Sequence, residues 1–336
     1  MNKQNVRKAN LDLATEEFML PSDTPGIELY VRNKFGRGQK KFSGEKILLF
    51  VHGATYSSET IFDQSLGGTS MMEFVARHGY DVYLMDLRGY GKSTRPPEMF
   101  QPANQNRPIV QAKTATKDLA AVIKFILKRR QVSKLNLMAW SWGTSVAGWY
   151  ASKNNSKVNK LILYAPLWLR SSPPRADTGG KLGSYRVVQL ASAKKNWLDG
   201  VPKNKTKALI PKGWYDEWIS AVKDEALQVD KLLGLRRKPE TLHVPNGVLQ
   251  DSRDFWSVNK PLYDPGKIKV PTLLVHAEWD TDLPSYMLRA YFAKLTHAPI
   301  KRCVEIGEGT HMVIMEKNRM QLFCEVQMFL DEKLKI

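Results

Sequence analysis

Short apolar runs alternate with amphipathic stretches along most of the chain. Apolar runs at 27–31, 47–51, 82–85, 135–138, 158–164, 272–275 and 302–306 are bounded by polar or glycine-bearing turns. Their length and boundaries predict buried strands. Between them the spacing turns helical. In 114–130, Leu119, Val122, Ile123, Ile126 and Leu127 recur at steps of three, one, three and one, which lays them along one helix face. Further helices are predicted ending at His78-Gly79-Tyr80 and over 144–152, 285–295 and 312–334. Strand and helix in alternation imply an α/β fold: a mostly parallel central sheet, right-handed crossovers and helices on both faces.

The rhythm breaks between residues 167 and 262. This stretch opens on Ser171-Ser172-Pro173-Pro174, carries Gly179-Gly180 and holds five of the nine tryptophans: Trp168, Trp197, Trp214, Trp218 and Trp256. Its periodicity is mostly helical, as over 214–235. A structureless loop of this length would be out of place in a compact domain. The expected organisation is a core domain built from 1–166 and 263–336, with 167–262 inserted as a helical cap over the sheet.

Composition narrows the class. Hydrophobic residues make up 43% of the 336 and charged residues 25%, which excludes a disordered tail protein or a collagen-like fibre. No run approaches the roughly 20 apolar residues that span a bilayer. The first residues lack the apolar core of a signal peptide. Cys303 and Cys324 are too few for a disulfide framework and are not spaced for zinc, so they are expected to be reduced core thiols of a cytoplasmic protein. Charge is the unusual quantity: 51 Lys and Arg against 33 Asp and Glu give +18. The stretch 167–262 alone holds about 17 basic and about 10 acidic residues. Such a field attracts nucleic acid, anionic membrane surfaces or acidic substrates. The basic residues are scattered, however, and clusters such as Lys128-Arg129-Arg130 and Arg236-Arg237-Lys238 are short. No nucleic-acid module accompanies them, so nucleic acid is not an expected partner. A solvated basic surface and an attraction for an anionic small-molecule substrate both stay open.

The chemistry concentrates in Leu137-Met138-Ala139-Trp140-Ser141-Trp142-Gly143-Thr144. A buried strand runs into a small residue, then x-Ser-x-Gly, then a helix of small residues. That is the layout of a strand–nucleophile–helix turn, with Ala139 where glycine is usual. Close packing of strand and helix demands small residues two before and two after the serine. The helix N-terminus supplies N–H groups and the positive end of a dipole. The alternative is a buried serine between two tryptophans of a core strand.

With two further motifs, the chain resembles the α/β-hydrolase superfamily over most of its length outside the insertion. Phe50-Val51-His52-Gly53-Ala54-Thr55 is similar to the HG-x loop after that family's third strand. Met85-Asp86-Leu87-Arg88-Gly89-Tyr90-Gly91-Lys92-Ser93 resembles the D-x-R-G-x-G-x-S stretch after its fourth, where Asp86 and Arg88 would brace loops. The resemblance implies a chain order of Ser, acid and His. Val270-Pro271-Thr272-Leu273-Leu274-Val275-His276-Ala277-Glu278-Trp279-Asp280 is similar to the family's strand-and-acid segment and puts Asp280 at the acid position, with Glu278 and Asp282 as rivals. Gly307-Glu308-Gly309-Thr310-His311-Met312 puts His311 where the family has its base. His52, His78, His243, His276 and His297 have plainer structural readings.

The implied mechanism is acyl transfer. Ser141 attacks an acyl carbonyl as His311 takes its proton, and Asp280 holds the imidazole. The backbone N–H groups of Ala54 and Trp142 receive the oxyanion, and neither a metal nor an organic cofactor is required. His52, Gly53, Thr55, Trp140, Trp168, Trp214 and Trp218 are expected around the substrate, although the tryptophans also suit a packed core. Trp142 is similar to the indole beside the nucleophile in the superfamily's haloalkane dehalogenases and epoxide hydrolases. Those enzymes use an aspartate, and Ser141 argues for an acyl enzyme instead. The expected function is hydrolysis of a carboxylic ester. Acyl transfer to another acceptor, lactone or amide opening, and carbon–carbon bond hydrolysis are alternatives on the same residues. A binding protein without turnover is a third reading.

Overall fold

The computed structural model describes residues 11–238 and 240–333. Its strands are β1 (Leu13–Pro21), β2 (Glu28–Gly36), β3 (Ile47–Val51), β4 (Asp81–Met85), β5 (Leu135–Trp140), β6 (Val158–Tyr164), β7 (Tyr185–Gln189), β8 (Thr241–Pro245), β9 (Thr272–Ala277) and β10 (Lys301–Ile306). Eight of them form one sheet in the order β1-β2-β4-β3-β5-β6-β9-β10. The pairs β1–β2 and β2–β4 are antiparallel, and the rest of the sheet is parallel. Every residue of β3, β4, β5 and β9 is buried. A parallel sheet covered on both faces reads as continuous apolar runs, which is why these strands stand out in the sequence. Strand β1 falls outside the expected set. It is an edge strand with alternating burial, and Glu16 and Glu17 break up its apolar residues.

The helices are α1 (Ser58–Phe62), α2 (Met71–Arg77), α3 (Ala112–Arg130), α4 (Trp142–Lys153), α5 (Ala193–Trp197), α6 (Thr206–Leu209), α7 (Trp214–Leu232), α8 (Gly247–Asp254), α9 (Ser285–Lys294) and α10 (Arg319–Asp331). The periodic set Leu119, Val122, Ile123, Ile126 and Leu127 forms the buried face of α3. The last helix starts later than its spacing predicts. Residues 312–318 instead make a short 3-10 turn at Val313–Met315, because Glu316 turns inward and accepts from the Thr310 N–H at 3.0 Å. No helix among the described residues is long and apolar enough to cross a membrane.

Two expectations need correction. The stretch 167–262 is not purely helical, since β7 and β8 pair as an antiparallel ribbon. Its closest paired residues, Gln189 and Thr241, lie far apart in the chain, so no hairpin turn marks the strands. Cys303 and Cys324 are exposed and unpaired rather than core thiols. Cys303 lies on the edge strand β10, whose two faces differ in burial.

The inserted stretch is tied to the core at several points. On α7, Trp218 donates from Nε1 to the Thr60 carbonyl at 3.1 Å. On α8, Asp251 accepts from the Ala112 N–H at 2.7 Å, placing a carboxylate at the N-terminus of α3, where the helix dipole favours it. Between α7 and the core lies a cavity of about 40 Å³ bounded by Arg95, Glu225, Asp230, Arg237 and His243, among others. Glu225 Oε1, Arg95 Nε and His243 Nδ1 find no partner there. Burial, and then the Asp86 carboxylate, raise the Glu225 carboxyl to about 8.

That raised value makes the seam sensitive to pH. An unfolded glutamate titrates at about 4.3. The folded chain therefore holds a proton that the unfolded chain releases across the interval from there to about 8, and stability falls as pH rises through it. Glu225→Gln removes the ionisation. Its melting temperature should gain on the parent progressively between pH 5 and pH 9 in a calorimetric series. A constant offset would place the titration elsewhere.

Candidate active site

Ser141 stands between the end of β5 and the start of α4, with φ 56° and ψ −128°. Residues with a side chain avoid this region, at a cost of about 1–3 kcal/mol. The turn is held by its neighbours. The Ser141 N–H donates to the Tyr164 carbonyl at 3.0 Å, and the Thr144 N–H donates to the Ser141 carbonyl at 2.9 Å. Gly143 lets α4 approach the end of β3, since an added Cβ would press on the His52 carbonyl and lie 2.8 Å from the Val51 carbonyl. Ala139, at the other small position, is fully buried.

His311 arrives from the loop after β10. Its Nε2 lies 2.9 Å from Ser141 Oγ, and its Nδ1 lies 2.7 Å from Asp280 Oδ2. Asp280 follows β9, is wholly buried, and receives the Leu283 N–H on its other oxygen at 2.9 Å. A carboxylate only accepts, so Nδ1 carries the proton and Nε2 turns its lone pair to the serine. Burial works against a charged imidazole, but the Asp280 carboxylate outweighs it and holds His311 above its ordinary value. The His311 carbonyl accepts from Tyr164 Oη at 2.6 Å and from Trp140 Nε1 at 3.2 Å. The Trp140 ring lies 5.0 Å from the imidazole. Trp140 thus supports the histidine as well as lining the site.

The rival acids are engaged elsewhere. Glu278 accepts from the Glu308 N–H at 2.7 Å, and Asp282 pairs with Arg175 at 2.5 Å. A residue the sequence reading missed is Glu316. It holds Thr310 through both the N–H and Oγ1, and it accepts from Trp197 Nε1 of the inserted stretch at 2.7 Å. Burial raises its carboxyl to about 7. The acid sits five residues beyond His311, at the end of a turn, and nothing in its spacing marks it.

The loop after β3 completes the near side. His52 is fully buried; its Nδ1 meets the Gly53 carbonyl at 2.6 Å, and its Nε2 accepts from the Leu87 N–H at 3.0 Å. It is a neutral brace, with its pKa lowered by burial. A Cβ on Gly53 would lie 3.1 Å from Ser141 Cβ, so this residue also permits a close approach. The Ala54 carbonyl accepts from Arg186 Nη2 at 2.7 Å and from Tyr90 Oη at 3.2 Å. The N–H groups of Ala54 and Trp142 meet no backbone acceptor among the described residues. Asp86 accepts from the Ser58 and Lys92 N–H groups, each at 2.9 Å, and Arg88 grips Asp118, so this motif ties loops together.

Ser141 and His311 open into a cavity of about 640 Å³, which Ala54, Thr55, Trp140 and Trp142 line from the core. From the inserted stretch come Arg170, Arg186, Trp197, Trp218 and Trp256. Trp168 and Trp214 are not among the lining residues. Trp168 packs edge-on to Tyr291 at 5.2 Å, and Trp214 lies under the Arg319 guanidinium at 4.4 Å. Trp197, Trp256 and Arg186 take their place, and the sequence offers no signal that separates those tryptophans from the other two.

The mostly parallel sheet, with a serine turn after its fifth strand and an acid and a histidine after its last two, is the layout of an α/β hydrolase. A profile of the alpha/beta hydrolase fold family matches residues 46–318, and the chain belongs to that family. Among solved structures it is similar to 2-hydroxy-6-oxo-6-phenylhexa-2,4-dienoate hydrolase from Rhodococcus sp. strain RHA1, at 14% identity and TM-score 0.60 over 95% of this chain and 99% of that one. It is similar to an esterase from Thermogutta terrifontis solved with malate bound, at 18% identity and TM-score 0.55 over 94% and 98%. It is also similar to a serine hydrolase from Cycloclasticus zankles, at 14% identity and TM-score 0.58 over 95% and 98%. No curated protein matches it in sequence.

The electrostatics of His311 can be read directly. Its imidazole should titrate above the ordinary value of about 6.5 in an NMR pH series. Asp280→Asn removes the largest stabilising charge and leaves burial opposed only by Asp282, itself countered by Arg175, so the inflection should drop below that value. An unmoved inflection would detach the two side chains.

Proposed function

We propose that this protein hydrolyses carboxylic esters through an acyl enzyme formed on Ser141. The observation that carries the reading is the hydrogen-bonded series Ser141–His311–Asp280 at the floor of a cavity large enough for a small ester. A serine hydroxyl is a poor nucleophile until a base stands within reach, and here one does. His311 takes the Ser141 proton as Oγ attacks the acyl carbon. Asp280 keeps the proton on Nδ1 and stabilises the imidazolium. The N–H groups of Ala54 and Trp142 receive the oxyanion, aided by the positive end of α4. His311 then protonates the departing alcohol and activates the water that releases the acid.

In the same reading, residues 167–262 are a cap that roofs the substrate, and Thr55, Trp140 and Trp218 form part of its pocket. The solved structures of this fold carry names from several chemistries, so the choice of esters rests on the serine and its partners. Two free, exposed thiols suit a reducing compartment, and we place the protein in the cytoplasm.

Intact-mass analysis after fluorophosphonate treatment tests the nucleophile. Wild type should gain one adduct and Ser141→Ala none, with 4-nitrophenyl ester hydrolysis lost in the same variant. Asp280→Asn should lower kcat on the order of 10⁴-fold. The acid limb of kcat/KM should fall above the ordinary imidazole value, since protonated His311 is no base. A folded wild type without an adduct would turn the reading toward a binding protein.

A further inference from the structure

Three guanidinium groups line the large cavity, those of Arg170, Arg175 and Arg186, against one carboxylate, Asp282. Arg175 takes that carboxylate at 2.5 Å. The other two have only carbonyl partners for strong bonds. Arg186 donates to the Pro245 and Ala54 carbonyls at 2.7 Å each, and its buried Nε has no acceptor. Arg170 donates to the Ser172 carbonyl at 3.0 Å and to the Asp282 carbonyl at 3.2 Å.

Arginines buried elsewhere in this fold are treated differently. Arg32, Arg88 and Arg130 each hold a carboxylate. Arg319 lies over the Trp214 ring, whose face takes up the charge. Arg95 sits among Asp86, Glu225 and Asp230. A cation withdrawn from water without a counter-charge is costly. Burial lowers the pKa of Arg186, which has no carboxylate near it, and of Arg170 despite the Asp282 and Asp280 carboxylates nearby, as it also does for Arg95 and Arg319.

We propose that Arg186 and Arg170 form an oxyanion-binding subsite in the cavity, so that the natural substrate is an ester carrying a second, anionic group, a carboxylate or phosphate. This rests on the ester-hydrolase reading and names its substrate class. A guanidinium presents a fork of donors that fits such groups, and its charge-assisted bonds are the stronger kind. Because Arg186 also holds the Ala54 carbonyl, the subsite adjoins the loop after β3 that carries the Ala54 N–H.

The test compares mono-4-nitrophenyl adipate with its methyl-capped neutral form. Wild type should favour the carboxylate by about ten-fold or more in kcat/KM, the effect of one or two charge-assisted bonds. Arg186→Met and Arg170→Met should each cut that ratio by about ten-fold, whatever happens to the absolute rates. A wild-type ratio of one or less, or a preference that survives both substitutions, would overturn the subsite. Calorimetry with free adipate and inorganic phosphate on Ser141→Ala needs no turnover. Adipate or phosphate binding that disappears when Arg186→Met and Arg170→Met are added upholds the subsite and names the anion; no binding of either overturns it. The fluorophosphonate adduct on the same wild-type sample decides the hydrolase reading separately.

Discussion

Helix α4 can sit against the end of β3 only because residue 143 has no side chain. That contact brings the helix N-terminus, the Ser141 turn and the 52–55 loop into one small volume. With the helix a Cβ's width further away, the Ser141 backbone would have no reason to stay at φ 56°. The strain is maintained because both flanks are pinned: Tyr164 of β6 takes the Ser141 N–H, and α4 takes its carbonyl through Thr144. Gly53 repeats the constraint from the other side. The site is therefore a consequence of how closely two elements pack, and the hydroxyl faces the cavity because the backbone has nowhere else to go.

The histidine loop has the opposite character. No regular element carries His311. It is fixed by bonds at its edges, with two donors on its own carbonyl and Glu316 holding Thr310. One of those ties continues into the inserted stretch, where Trp197 donates to Glu316, while Arg186 from the same stretch donates to Ala54. The stretch 167–262 is thus bonded to both loops that flank the serine. Losing these bonds would leave Glu316 and Arg186 with fewer partners, so the geometry of the site depends on that stretch.

The sequence exposed what rests on short-range rules. Buried parallel strands appear as unbroken apolar runs, α3 as a clean helical face, and the serine turn as small residues at fixed offsets. His311 and Asp280 could be assigned only through the resemblance; in the structure His311 Nδ1 lies 2.7 Å from Asp280 Oδ2 and its Nε2 lies 2.9 Å from Ser141 Oγ. What escaped depends on partners distant in the chain. Strand β1 needs β2 to pair with one of its edges, and β7 needs β8. Trp168 and Trp197 look alike in sequence; only the packing of Tyr291 against one and Glu316 against the other sends the first into the core and the second to the cavity. The expectation for Cys303 failed for the same reason, since an edge strand exposes residues that its composition would bury, whereas Cys324 stands on an exposed face of α10.

Net charge shows the same limit most clearly. A surplus of +18 says nothing about where the field acts, because many basic side chains are spent on ion pairs or face water. The cavity is positive for a local reason: two of its arginines are satisfied by carbonyls, which neutralise no charge. Where water is excluded such charges act strongly. They would help an oxyanion form on the carbonyl oxygen, but a substrate anion placed too near would cancel that help by repulsion. Arg186 bears on this conflict through its partner, since it donates to the Ala54 carbonyl, on the peptide next to the one that carries the Ala54 N–H. A substrate anion bonded to the guanidinium has its charge largely neutralised there, so its repulsion of the developing oxyanion is weakened and binding and catalysis draw on the same arginine.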